Sequence, residues 1–122
     1  MPGNLPVWDA AAIDALTETV VTRLLVDGAP ARRVAVELAG VLAAERPGLP
    51  ALALALPFTL AASAIEDMLG GGLQARAAAL DAWRIAALIG ADALALRMAG
   101  PGKDSVADLR ARWLAGDEVF GA

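Results

Sequence analysis

Residues 73–99 read LQARAAALDAWRIAALIGADALALRMA, the longest stretch of this 122-residue chain without a helix-breaking pattern. Alanine, the best helix former, fills it, and no proline interrupts it. At 1.5 Å per residue the stretch predicts a helix about 40 Å long. Its large apolar residues spread around almost the whole circumference, which is typical of a helix covered by neighbouring helices or by a second subunit. We therefore expect helix 73–99 to be central.

Helix-breaking and capping residues on either side of this stretch predict the remaining helices. Three glycines precede it, and Gly100-Pro101-Gly102 follows it. Asp9 is suited to cap a first helix, Pro30 to open a second, and Ser105 to open a last one with Asp108 completing a capping box. The sequence thus predicts an all-α, single-domain bundle over residues 1–122, with main helices at about 9–27, 30–46, 50–69 and 73–99 and a short C-terminal helix at 105–115.

The segment 47–65 contains no charged residue and is the ambiguous part of the chain. Leu52, Leu54 and Leu56 alternate with alanines, which imitates a strand. Alanine is a weak strand former, however, and no partner strand is visible elsewhere in the sequence. We interpret residues 50–69 as a helix kinked at Pro57, where proline removes one backbone hydrogen bond.

The same segment is long enough to raise the question of a membrane span. Pro50 and Pro57 inside it, its alanine content and the lack of a cationic excess on one side argue against one. The first residues lack the cationic and apolar regions of a signal peptide, which predicts a cytoplasmic protein. Nine arginines against one lysine further indicate a GC-rich bacterial genome.

The composition removes most catalytic and metal-binding chemistry. The chain has no histidine, cysteine or tyrosine, which supply most proton shuttles, thiol nucleophiles and transition-metal ligands. We therefore predict no catalytic, cofactor-binding or metal-ligating residue and no cofactor, and an enzyme restricted to Asp, Glu and Arg is the least supported class. A net charge of −4 also opposes nucleic-acid binding.

Asp92 is the candidate functional acid, because it lies within the otherwise uncharged stretch 85–96 of the predicted central helix. Three interpretations remain open. Asp92 is a proton-responsive or ligand-binding acid, it pairs with an arginine such as Arg84, or it faces solvent on a strip with Asp81 and Gln74. We favour the solvent-facing strip.

Two uncharged stretches compete for the centre of one small bundle, so the helix left outside would expose an apolar patch. A second subunit would cover that patch, which predicts a homodimer. The dimer is expected to form through helix 73–99, where Ala86, Gly90 and Ala93 permit close helix contact, or through helix 50–69, where Leu52, Leu56 and Leu60 recur at every fourth residue.

The sequence thus predicts a non-catalytic protein–protein interaction or assembly module, such as an adaptor, a regulator or a small subunit of a complex, that is homodimeric and can also bind another protein. The alternative is an apolar-ligand-binding or membrane-associated helical protein, in which helix 50–69 lines a pocket or meets lipid.

Overall fold

The structure is a computed structural model that describes residues 8–26, 30–68, 72–100 and 102–120. These residues form five α-helices and one short 3₁₀ turn. In chain order they are α1 (Ala10–Val26), α2 (Ala31–Glu45), the 3₁₀ turn (Ala51–Leu54), α3 (Ala55–Glu66), α4 (Gly72–Ala99) and α5 (Val106–Leu114). Within the described ranges there is no strand, and a single bridge joins Pro50 and Ser105. The predicted all-α fold is confirmed.

The third predicted helix differs from the prediction in its details. The segment begins as the 3₁₀ turn and continues as α3 from Ala55 onward. Pro57 therefore falls in the first turn of α3, where a missing N–H is tolerated. The helix ends at Glu66 rather than at 69. The predicted break at Gly70-Gly71 and the predicted end of the first helix at residue 27 lie outside the described residues.

Helix α4 contacts every other helix and the 3₁₀ turn, as a central helix should. It is nevertheless covered on one side only. Its buried side chains are small or β-branched, namely Ala75, Ala78, Ala79, Ala82, Ile85, Ala86, Ile89 and Ala93. Alanines on this side let neighbouring helices approach closely, and the larger core residues come from those neighbours, such as Leu54, Phe58 and Ile65. Helix α4 is therefore central to the contacts of the bundle, while the neighbouring helices of the same chain leave its opposite side uncovered.

The predicted helix caps are present. Asp9 Oδ1 accepts a hydrogen bond from the amide of Ala12 at 2.8 Å. At the start of α5, Ser105 Oγ accepts from the amide of Asp108 at 3.2 Å, and Asp108 Oδ2 accepts from the amide of Ser105 at 3.1 Å. The Ser105 hydroxyl also donates to Asp108 Oδ2 at 2.8 Å. This hydroxyl and the Ser105 amide, helped by the nearby charge of Lys103, hold the pKa of Asp108 below its ordinary value.

Backbone hydrogen bonds attach the start of α5 to the segment before the 3₁₀ turn. The amide of Val106 donates to the carbonyl of Leu49 at 2.7 Å, and that of Ala107 donates to Pro47 at 3.0 Å. In the opposite direction, the amide of Ala51 donates to the carbonyl of Asp104 at 2.8 Å. The first amides of α5, which have no partner inside the helix, are thus satisfied by a distant part of the chain.

Candidate interaction surface

The three leucines of the predicted interface lie on the surface. Leu52, in the 3₁₀ turn, is 60% exposed, and Leu56 and Leu60 of α3 are 36% and 38% exposed. Leu56 and Leu60 stand on the side of α3 opposite Phe58 and Ala62, which are fully buried. The sequence pattern therefore identified an apolar strip that the fold leaves uncovered.

The three small residues of the predicted interface lie elsewhere. Ala86 and Ala93 are buried on the inner side of α4, within the chain's own core. Gly90 is half-buried at the edge of that side, and a Cβ atom added to it would lie 3.9 Å from Cδ1 of Leu52. The close approach that these small residues permit is thus made by the chain's own 3₁₀ turn and α3. Of the six residues, Gly90 and Leu52 are brought together by the fold.

Helix α4 carries a second apolar strip, which the sequence analysis did not single out. We call it the outer face of α4, and its residues are Leu73, Ala77, Leu80, Arg84, Ala87, Ala91, Leu94 and Met98. All eight are exposed, including Leu73 at 83%, Leu94 at 58% and Met98 at 78%. They follow one another at alternating steps of four and three residues, the spacing of a coiled-coil seam.

This spacing was the signal available in the sequence. The large residues of α4 scatter over the whole circumference when they are plotted without regard to period. A strict seven-residue period instead groups Leu73, Leu80, Ala87 and Leu94 on one line, because a seven-residue repeat drifts by only about 20° on a straight helix. The alanines on the opposite side of α4 are apolar too, so the sequence alone does not distinguish the outer face from the buried side.

The outer face of α4 adjoins the exposed leucines before and within α3. Leu52 reaches the edge of α4 at Gly90. Trp83 lies two turns before Gly90 on the same side of α4. Its indole Nε1 donates to Oε1 of Glu66 at the end of α3, at 2.6 Å. Trp83 is itself 36% exposed, so it adds its ring to the same side of the molecule. We refer to these two strips together as the apolar surface along α3 and α4.

Asp92 has a partner that none of the three interpretations included. The indole Nε1 of Trp113 in α5 donates to Asp92 Oδ2 at 3.0 Å, and Asp92 is half-buried. Trp113 is buried and stacks on Phe120, with ring centroids 4.1 Å apart. Arg84, the proposed ionic partner, lies instead 3.9 Å from Asp81. Asp92 thus joins α4 to α5, and its oxygen is directed to an uncharged donor.

An open groove of about 560 Å³ lies between the start of α2 and the middle of α4. Ile85, Leu88 and neighbouring alanines form its apolar floor, and Arg32, Arg84 and Asp81 stand at its rim. The groove therefore suits a ligand with an apolar body and a negatively charged end, since two of its three charged lining residues are positive.

Over the ranges that the structure describes, no group of three or more acidic residues is placed to hold a metal ion. None of the helices in these ranges combines the length and the hydropathy needed to cross a bilayer. No family model, curated protein or solved structure matches this chain.

Proposed function

We propose that this protein is a non-catalytic interaction and assembly module that forms a homodimer through its exposed apolar surface. The observation that carries the proposal is the outer face of α4, an exposed strip with coiled-coil spacing. Large contiguous apolar patches on small proteins mark interaction sites, because leaving them in water costs roughly 25 cal/mol for each Å².

The distribution of polar groups supports a role without catalysis. Among the described residues, no charged or polar side chain is buried. Glu66 and Asp92 each accept a hydrogen bond from a tryptophan indole, and Asp81 pairs with Arg84. Acid–base catalysis needs a group placed in a cleft near a reacting atom, and these carboxylates are placed to fix helices instead.

Light scattering with size-exclusion chromatography tests the proposal over protein concentrations from about 5 to 500 µM, a range that brackets weak association. We expect the mass to rise from that of one chain to that of two. Leu80→Glu and Leu94→Glu should each remain monomeric, because a carboxylate in an apolar contact loses its hydration. Leu114→Glu is the matched control, since Leu114 is 66% exposed but lies on α5.

Circular dichroism of all three variants shows whether each one is folded. A wild-type protein that keeps the mass of a single chain at 500 µM would overturn the homodimer. So would dimers of unchanged strength in both outer-face variants, because the proposed surface would then take no part in association.

The groove beside α2 favours a second candidate function, the binding of an amphipathic anion such as a fatty acid. Its volume lies in the range of small-molecule sites, which is about 300–1,000 Å³. In this candidate function, Arg32 pairs with the carboxylate of the fatty acid, and Leu88 contacts its hydrocarbon tail. Native mass spectrometry after addition of a long-chain fatty acid tests this candidate. We expect an adduct that Arg32→Ala weakens, and absence of any adduct would exclude the candidate.

A further inference from the structure

We propose that the second copy packs antiparallel along the outer face of α4, with the two helices centred on each other. This inference rests on the proposed homodimer and specifies its geometry. Helix α4 runs from Gly72 to Ala99, so its midpoint lies between Ile85 and Ala86. A two-fold axis through that midpoint brings the whole outer face of one protomer onto the whole outer face of its partner.

This register places large residues opposite small ones at almost every layer. Leu94 lies opposite the partner's Ala77, and Leu80 lies opposite the partner's Ala91. Arg84 lies opposite the partner's Ala87, and Leu73 meets Met98 at each end. Alternating large and small side chains fill the space between two helices evenly. The outer face is therefore complementary to its own reversed copy.

The parallel orientation lacks this complementarity. It would place each residue opposite its own counterpart, so that alanine would face alanine at residues 77, 87 and 91. It would also place Arg84 opposite the partner's Arg84 in one layer, whereas the antiparallel register places the two Arg84 side chains one layer apart, each opposite Ala87, so like charges repel more strongly in the parallel orientation. Its one gain is an ion pair between Arg76 and the partner's Asp81, and an exposed pair of this kind contributes little. The balance favours the antiparallel dimer.

One flank of the antiparallel pair fits as well. Trp83 stands opposite the partner's Gly90, the smallest residue on that side of α4. Leu52 adjoins Gly90 within the same protomer, so the indole ring meets an apolar seat. The same flank places Arg76 across from Arg97, and both side chains are exposed. Salt screens such exposed like charges, so we expect the dimer to tighten as the salt concentration rises.

The size of the contact indicates a reversible dimer. A helix of 28 residues is about 42 Å long, and a contact strip about 10 Å wide covers roughly 400 Å² on each protomer, or roughly 800 Å² in total. Stable complexes usually bury about 1,200 Å² or more in total. The flank at Trp83 and Leu52 adds area without reaching the size of an obligate interface. We expect a dissociation constant on the order of micromolar.

Single cysteines report the orientation directly, because the natural chain contains no cysteine. We would prepare Ala77→Cys and Leu94→Cys and oxidise each variant alone and the two mixed in equal amounts. The antiparallel dimer yields disulfide-linked dimers mainly in the mixture, since residue 77 meets residue 94. A parallel dimer instead links each variant to itself. The pair Leu80→Cys and Ala91→Cys repeats the test at a second layer.

The possible outcomes separate the two proposals. Cross-linking that is selective for both mixtures supports the antiparallel register. Self-linking of Ala77→Cys alone, or no cross-linking in a sample that light scattering shows to be dimeric, overturns the register and leaves the homodimer intact. A wild-type protein that remains monomeric overturns the homodimer itself.

Discussion

At the scale of single residues, the contact between Asp92 and Trp113 joins α4 to α5. The indole N–H of a buried tryptophan needs an acceptor, and Asp92 supplies one at 3.0 Å. Asp117 supports the same tryptophan from the other side, because its Oδ1 accepts from the amides of Val119 and Phe120 and so holds the turn that carries the stacked ring of Phe120.

Removing the acceptor should therefore loosen α5. We expect Asp92→Ala to lower the free energy of unfolding by about 1–3 kcal/mol, the cost of leaving a buried donor unsatisfied. Asp92→Asn retains an acceptor oxygen and should lose less. Urea denaturation measures both changes, with Asp14→Ala as the control, since Asp14 is exposed on α1. Equal losses for Asp92→Ala and Asp14→Ala would show that the hydrogen bond contributes nothing.

The capping box of Ser105 and Asp108 should make stability depend on acid. The folded pKa of Asp108 lies below its unfolded value, chiefly because the Ser105 hydroxyl and amide donate to the carboxylate. The stabilisation is complete above the unfolded pKa and is lost as the pH falls through the folded value. Asp108→Asn should thus show a shallower decline of the urea midpoint than wild type between roughly pH 5 and pH 2.

Ser105→Ala is the companion variant, and it should cost about 1 kcal/mol at neutral pH through loss of the cap. Ser63→Ala, at an exposed position inside α3, should leave stability nearly unchanged. Identical acid profiles of wild type and Asp108→Asn would contradict the assigned cause of the pKa shift.

At the scale of helices, the sequence was sufficient to predict the features that depend on residues close to one another in the chain. The cap at Asp9 and the capping box at Ser105 were both predicted from the sequence and are both present. The partner of Asp92 was not predicted, because it lies 21 residues away and is set by the docking of α5. The covered side of α4 was missed for the same reason, since both its sides are apolar and only packing selects one.

Two glycines inside helices offer a test of this local physics. Gly40 in α2 has nothing within 4 Å of an added Cβ, and Gly90 in α4 has only Leu52 at an ordinary contact distance. We expect Gly40→Ala and Gly90→Ala each to stabilise the dilute protein by about 0.5–1 kcal/mol. Thermal unfolding measures this gain. A loss of stability in Gly90→Ala would mean that the 3₁₀ turn lies too close to α4 to admit a Cβ atom at this position.

At the scale of the whole molecule, one apolar cluster includes buried residues from every helix and from the 3₁₀ turn. A shared core of this kind favours a single cooperative transition. The all-α class follows from composition and helix breakers alone. The choice of exposed face does not, because exposure depends on how five helices divide a limited core among them.

We expect urea unfolding curves from circular dichroism and from tryptophan fluorescence to coincide at low protein concentration. Circular dichroism reports all helices, whereas fluorescence reports Trp8, Trp83 and Trp113. If the native protein dimerises, the midpoint should also rise with protein concentration, because association stabilises the native state. Separate transitions for the two signals would show that part of the bundle unfolds independently.

The backbone bonds between the start of α5 and the segment 47–51 have a consequence for hydrogen exchange. The amides of Ala51, Val106 and Ala107 are protected by carbonyls of a distant segment rather than by the turn of their own helix. All three lose their partners in one event when α5 separates from the bundle. Their exchange rates should therefore share one opening free energy, which makes Ala51, far from α5 in sequence, a reporter of α5 detachment.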